Sequence, residues 1–186
     1  AGFSVLHDEA LVPAYRGKIP MVIKNTNNPK HPGTKIVLNH TDENVKVVGI
    51  AGDSGFVSIN TTKYLMNREV GFGRKLLQIL EDLNISWDHM PTGIDDLSVI
   101  LRSKELTPIK EQEILKHLIQ DLQVDYAEIE HDLSIIMIVG ENMKNQIGVT
   151  ATATKALSEN NINIQMISQG SSEVSIMFVV NQEQEK

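Results

Sequence analysis

The sequence predicts an α+β fold made of two copies of one strand–helix–strand–strand unit. Three observations predict it. Helical and extended periodicities alternate along the 186 residues, the middle of the chain repeats in its last third, and glycine and asparagine punctuate both copies at matching places. Displacing the chain by 77 positions lays Gly71 on Gly148, Leu80 on Leu157, Asn84-Ile85 on Asn161-Ile162, Gly93 on Gly170, Asp96 on Glu173 and Ser98 on Ser175, with no gap. The first copy continues with a helix and a strand, giving βαββαβ, the ferredoxin-like split arrangement.

Taken in order, residues 4–16 have helical spacing (Val5, Leu6, Ala10, Leu11, Ala14), against which Pro13 counts because it removes a donor. Residues 19–24 read as a buried strand. The stretch 25–34, dense in Asn, Pro and Gly, reads as a loop and linker, with a boundary near Asp42. Residues 45–51 and 56–61 read as two strands around the turn Gly52-Asp53-Ser54-Gly55. Residues 72–83 form an amphipathic helix with Leu76, Leu77, Leu80 and Leu83 on one stripe, stopped by Asn84. Strands 85–90 and 97–101 flank Pro91-Thr92-Gly93. A helix over 107–122 has Thr107 as N-cap and Pro108 at its first position, and 126–129 is a further strand.

The second unit begins at 133–140 and stops after Val180, short of a second helix and last strand. Strand 45–51 is surplus in the first unit, so it is expected to complete the second sheet. The division is therefore 1–41, 42–131 and 132–186.

Composition excludes several classes. The formal net charge is -7, with no Lys/Arg cluster and few aromatics, which argues against nucleic acid. No cysteine is present, so disulfides and thiolate chemistry are absent, and a cytoplasmic setting fits. No apolar run approaches the roughly 20 residues of a membrane span. The opening Ala1-Gly2-Phe3-Ser4 has neither signal-peptide character nor an initiator Met, so the chain is expected to come from something longer. The six histidines show no i, i+4 metal pair. Gly71-Phe72-Gly73-Arg74-Lys75 lacks the spacing of a phosphate loop, and no nucleophile elbow appears.

A glycine at the helix start, Asn-Ile after the helix and a small turn before the next strand resemble the ACT domain. Two fused copies resemble the regulatory region of aspartate kinase. The segments Met66-Asn67-x-Glu69-Val70-Gly71-Phe72-Gly73 and Gly93-Ile94-Asp95-Asp96-Leu97-Ser98 are similar to the first ACT module of that family. Val5-Leu6-His7, Pro13-Ala14, Ile19-Pro20 and Asn25-Thr26-x-Asn28-Pro29-x-x-x-Gly33-Thr34 resemble the end of its kinase domain, with Asp8 standing where the family usually has Pro. The resemblance implies an enzyme that phosphorylates aspartate with ATP and Mg, whose catalytic residues and cofactors lie mainly outside this stretch. It also implies feedback by an end-product amino acid, here L-lysine, and a homodimer through the first modules that acts on the catalytic domain.

The candidate effector site follows. Gly71-Phe72-Gly73 opens a helix, where free N–H groups favour a carboxylate; the bland alternative is close packing of an ordinary helix start. Asp88, with neutral Gln165 as its counterpart in the repeat, is the expected partner of an α-ammonium. Asp95 and Asp96 suit an ε-ammonium, although a Gly-Ile-Asp-Asp turn is also ordinary loop chemistry. Met66, Phe72 and Trp87 would form apolar walls, and Glu69 and Ser86 complete the set. Threonine in place of lysine, threonine together with lysine, or a dimerisation module with decayed pockets are the open alternatives.

Overall fold

The computed structural model describes residues 8–37, 47–140, 143, 146–170 and 174–184. The expected helix start at residues 4–7 and the boundary at Asp42 lie outside them. A short N-terminal unit holds α1 (Asp8–Arg16), β1 (Met21–Ile23) and β2 (Thr34–Ile36). Pro13 lies inside α1, and its carbonyl accepts the Gly17 N–H at 2.9 Å as the helix ends. Two expectations fail here. The stretch read as loop and linker supplies β2, which pairs antiparallel with β1 (Val22 opposite Lys35), and Val22 and Ile19 are exposed rather than buried. An isolated two-stranded ribbon has no second layer to cover it.

The rest of the chain is one five-stranded antiparallel sheet, ordered β4-β3-β5-β7-β6. Its elements are β3 (Gly49–Thr62), α2 (Phe72–Asp82), β4 (Asp96–Arg102), α3 (Pro108–Gln120), β5 (Tyr126–Val139), α4 (Val149–Glu159), β6 (Ile164–Gln169) and β7 (Ser175–Asn181). Both repeat helices obey the 77-residue displacement end to end. Gly71 and Gly148 are their N-caps at φ 82° and 91°, and Asn84 and Asn161 follow at φ 51° and 55°. The sequence match is thus a match of left-handed backbone positions that glycine and asparagine adopt most easily.

The turn expected at Gly52–Gly55 does not form. β3 runs straight through, because its first half has its own partner: Gly49–Ser54 pair with Val139–Ser134, and Phe56–Thr62 pair with Leu133–Tyr126. Gly55, at φ 83°, is left as a bulge between the halves, matched on β5 by a second irregularity beside Asp132 at φ 57°. The strands expected at 126–129 and 133–140 are likewise one strand, β5. The surplus strand does complete the second sheet, by continuity with β3 rather than by crossing over. The strand expected at 85–90 is reduced to a bridge between His89 and Ile100, followed by Thr92 to Leu97, along the outer edge of β4.

Alternation along β3 and β4 fixes what each face meets. Val57, Ile59, Leu97, Val99 and Leu101 pack against Leu76 and Leu80 of α2 and Ile114 and Leu118 of α3. Phe56 and Ile100, out of phase, join Leu133, Ile135 and Val179 in a separate cluster. α4 packs through Val149, Ala153 and Leu157 on Ile138, Ile176 and Phe178. In the first module α3 lies against the sheet beside α2. No such second helix occurs over the second module among the described residues, and an apolar groove of about 440 Å³, with Ile50, Ile136 and Ala153 in its walls, lies beside α4.

Candidate functional site

The loop from Lys63 to Gly71 leads from β3 into α2, and distant acids pin it. The Leu65 N–H donates to Asp95 Oδ1 at 2.9 Å, the Lys63 N–H to the Asp95 carbonyl at 2.8 Å, and the Tyr64 N–H to Asp125 Oδ2 at 2.6 Å. These bonds hold Leu65 at φ 60° and the single turn of 3-10 helix over Met66–Arg68. Glu69 then ties the loop at both ends, with Lys63 Nζ and Lys75 Nζ each 2.6 Å from one of its oxygens. Hydrogen bonds from Lys63, then from Lys75, hold the Glu69 carboxyl below its ordinary pKa. Lys63 also donates to the Leu122 carbonyl at 2.6 Å and lies 5.6 Å from the Phe72 ring centre.

Beyond this clamp, Gly71 caps α2 without any side-chain acceptor, and the space where its Cβ would stand is empty to 4 Å. No strand crowds the turn. Glycine is needed here for its backbone angle, and of the first-turn N–H groups that of Phe72 donates to the Glu69 carbonyl at 3.3 Å. A carboxylate is the natural occupant of such a helix start.

The other predicted residues are spread around this region. Met66 and Phe72, at 4% and 3% exposure, belong to the first-module core, so neither is an open wall. Trp87 is 44% exposed and lines a cavity of about 570 Å³ with Ser86, Glu81 and Glu105 at the far end of α2. Asp88 instead lines a cavity of about 290 Å³ with Asp53, His89 and Arg102. Asp95 has one oxygen committed to Leu65, and Asp96 folds over Gly93, where any Cβ would collide with its carboxylate. Loop, Glu69, Gly71–Gly73 and Asp95 are thus brought together in one chain, whereas Ser86, Trp87 and Asp88 line cavities that do not include them. Lys63, Lys75 and Asp125 escaped the sequence reading. Asp125 carries no local signal, since its partner Tyr64 is 61 positions away. Among the described residues no group of three potential metal ligands occurs.

Two repeated units of this topology, each with an αL-capped helix over the sheet, define the class. This is an ACT-type chain, and an ACT domain family model matches residues 136–186. The chain is 53% identical over all of its 186 residues to aspartokinase 3 of Bacillus subtilis, covering 41% of that protein. The aspartate kinase of Clostridium acetobutylicum superposes with a TM-score of 0.87 at 39% identity, over 96% of this chain and 42% of that one. Aspartokinase III of E. coli, solved with lysine and aspartate, gives 0.74 at 26% identity, over 97% of this chain and 40% of that one. The chain belongs to the aspartokinase family, as its C-terminal ACT-bearing regulatory region, and it spans less than half the length of these relatives.

Proposed function

We propose that this region senses L-lysine and relays its binding to an aspartate kinase catalytic domain, lowering activity when the end product accumulates. On this reading residues 1–41 are the end of the catalytic domain and its linker, 42–131 the first ACT module and 132–186 the second. ATP and Mg serve the catalytic part of a cytoplasmic enzyme. The observation that carries the reading is a charge asymmetry between two matched positions of the repeat. Asp88 and Gln165, at matched positions and both exposed, make only the first module suited to an ammonium.

The Gly71–Gly73 amides receive the carboxylate, Asp88 the α-ammonium, and Asp96 or the free oxygen of Asp95 the ε-ammonium. Met66, Glu69, Phe72, Ser86 and Trp87 shape and support the surroundings. Because Asp88 and Gly71–Gly73 line no common cavity described above, the site is proposed to form between two first modules. The irregular edge at His89 and Thr92 supports this, since it leaves backbone groups for a partner edge.

Titration calorimetry with a panel of amino acids, alongside light scattering, tests the proposal. Lysine should bind, the mass should be twice 20.7 kDa, Asp88→Ala should abolish binding, and Gln165→Ala should leave it intact. If threonine binds and lysine does not, the effector is wrong but the sensing role stands. If no amino acid binds a confirmed dimer, the region is a structural dimerisation module.

A further inference from the structure

We infer that Asp125 is a positioning residue for ligand recognition in the first module: its side chain holds the loop of residues 63–71 in the shape that receives the effector. This role rests on the lysine-sensing reading above and deepens it.

The loop needs holding because its own side chains do not fix it. Leu65 stands at φ 60° and ψ 27°, a left-handed backbone that a bulky side chain disfavours. Tyr64 is 75% exposed and Leu65 38%, so burial does little to offset that strain, and Met66 is the first deeply buried side chain along the loop. Two carboxylates from other elements offset it instead. Asp125 Oδ2 accepts the Tyr64 N–H at 2.6 Å, and Asp95 Oδ1 accepts the Leu65 N–H at 2.9 Å. Hydrogen bonds of this kind, with a charged acceptor, are stronger than neutral ones. The Asp125 backbone N–H donates separately to the Thr62 carbonyl at 2.9 Å. Its side chain can therefore be changed while the backbone bond that leads into β5 remains.

The second module shows that the helix start itself does not require such pins. Under the 77-residue displacement, the bond from the Glu69 N–H to the Met66 carbonyl at 3.0 Å returns as Gln146 to Met143 at 3.2 Å. The bond from the Lys75 N–H to the Gly71 carbonyl at 3.0 Å returns as Thr152 to Gly148 at 2.9 Å. Met66 and Met143 are both buried, at 4% and 2% exposure. Yet Lys63, Glu69, Lys75 and Asp95 fall on Gly140, Gln146, Thr152 and Ser172, none of which carries a charge. The same backbone turn is made once with charged pins and once without those charges. Pins that the turn does not need serve what only the first module is proposed to do, which is to bind. A ligand that requires the ordered loop binds more weakly in proportion to the fraction of molecules that have lost it. The left-handed penalty at Leu65 corresponds to a factor of about 5 to 30.

The experiment is calorimetry on the 186-residue chain with L-lysine, or with threonine if only threonine binds, beside amide hydrogen exchange at Tyr64 and Leu65 without ligand. Asp125→Ala should weaken binding by about 5- to 30-fold and speed exchange at both amides. Asp125→Asn keeps an acceptor oxygen without the charge and should stay within about 3-fold of the parent. That variant separates the lost hydrogen bond from the lost negative charge near a cationic ligand. Ile176→Val, a core truncation in the second module, should lower the melting temperature and leave affinity unmoved. The inference is overturned if Asp125→Ala binds as the parent does, if Asp125→Asn or Ile176→Val loses as much as Asp125→Ala, or if exchange at Tyr64 is unchanged. If the parent chain binds no amino acid, the sensing reading falls and this role falls with it; if the parent binds and Asp125→Ala binds equally, only this inference falls.

Discussion

Gly71 and Gly73 stand two positions apart in one turn, yet alanine should act on them with opposite signs. Gly71 is the α2 N-cap at φ 82°, and a Cβ there meets no atom within 4 Å. The penalty is therefore purely conformational, about 1–2 kcal/mol for an L-residue in the left-handed region. Gly73 lies inside α2, and its Cβ position is equally empty. There alanine removes unfolded-state freedom without strain, for a gain of about 0.5–1 kcal/mol. With about 2–4 °C per kcal/mol for a chain of this size, Gly71→Ala should lower the melting temperature by about 2–8 °C and Gly73→Ala should raise it by about 1–4 °C. Gly148→Ala, at the matching cap with φ 91° and no neighbour within 4 Å, should behave as Gly71→Ala does. Differential scanning calorimetry without ligand reads all three. A neutral or stabilising Gly71→Ala would refute the backbone argument. The same variants separate folding from binding, because a stabilised Gly73→Ala that no longer responds to lysine points to ligand contact at the helix start.

Glu69 is paired with both Lys63 and Lys75, so its folded pKa lies below the ordinary value of 4.5 and the pairing stabilises only while the carboxylate is charged. That stabilisation is complete above pH 4.5 and fades as pH falls through the lowered folded value. Glu69→Gln should therefore lose stability at neutral pH and match the parent in strong acid; parallel melting curves across the whole range would contradict the clamp. In the core, Leu76→Ala at 1% exposure should cost about 2–5 kcal/mol in urea denaturation, whereas Ile109→Ala on the outer face of α3, at 71% exposure, should change little. Equal effects would mean that α2 and α3 do not pack as described.

The sequence by itself determined the repeat and everything local that follows from it. Leu76, Leu77, Leu80 and Leu83 declare one helix face at spacings set by 3.6 residues per turn. Thr107 and Pro108 announce a helix start, which the structure realises with the Thr107 hydroxyl accepting the Lys110 N–H at 3.4 Å. Gly71, Asn84, Gly148 and Asn161 mark backbone angles that few other residues tolerate. All of these are properties of a residue and its neighbours within a turn or two.

What only the tertiary structure decided depends on partners far along the chain. Gly52-Asp53-Ser54-Gly55 has turn composition, yet it stays extended because β5 offers ladder partners along its length, and the misfit is absorbed at Gly55 and in the second irregularity beside Asp132. Residues 85–90 have strand composition, yet as the outer edge beside β4 they gain few ladder bonds and remain irregular. Asp95 was legible as an acid in a turn but not as the acceptor that holds Leu65, and Asp125 was not legible at all. Asp53, His89 and Arg102 are dispersed across the sequence and meet only where the shared strand carries one module into the other. Hydrogen-bond pairing across a sheet joins residues by register, and register is set by the whole ladder rather than by any short window of sequence.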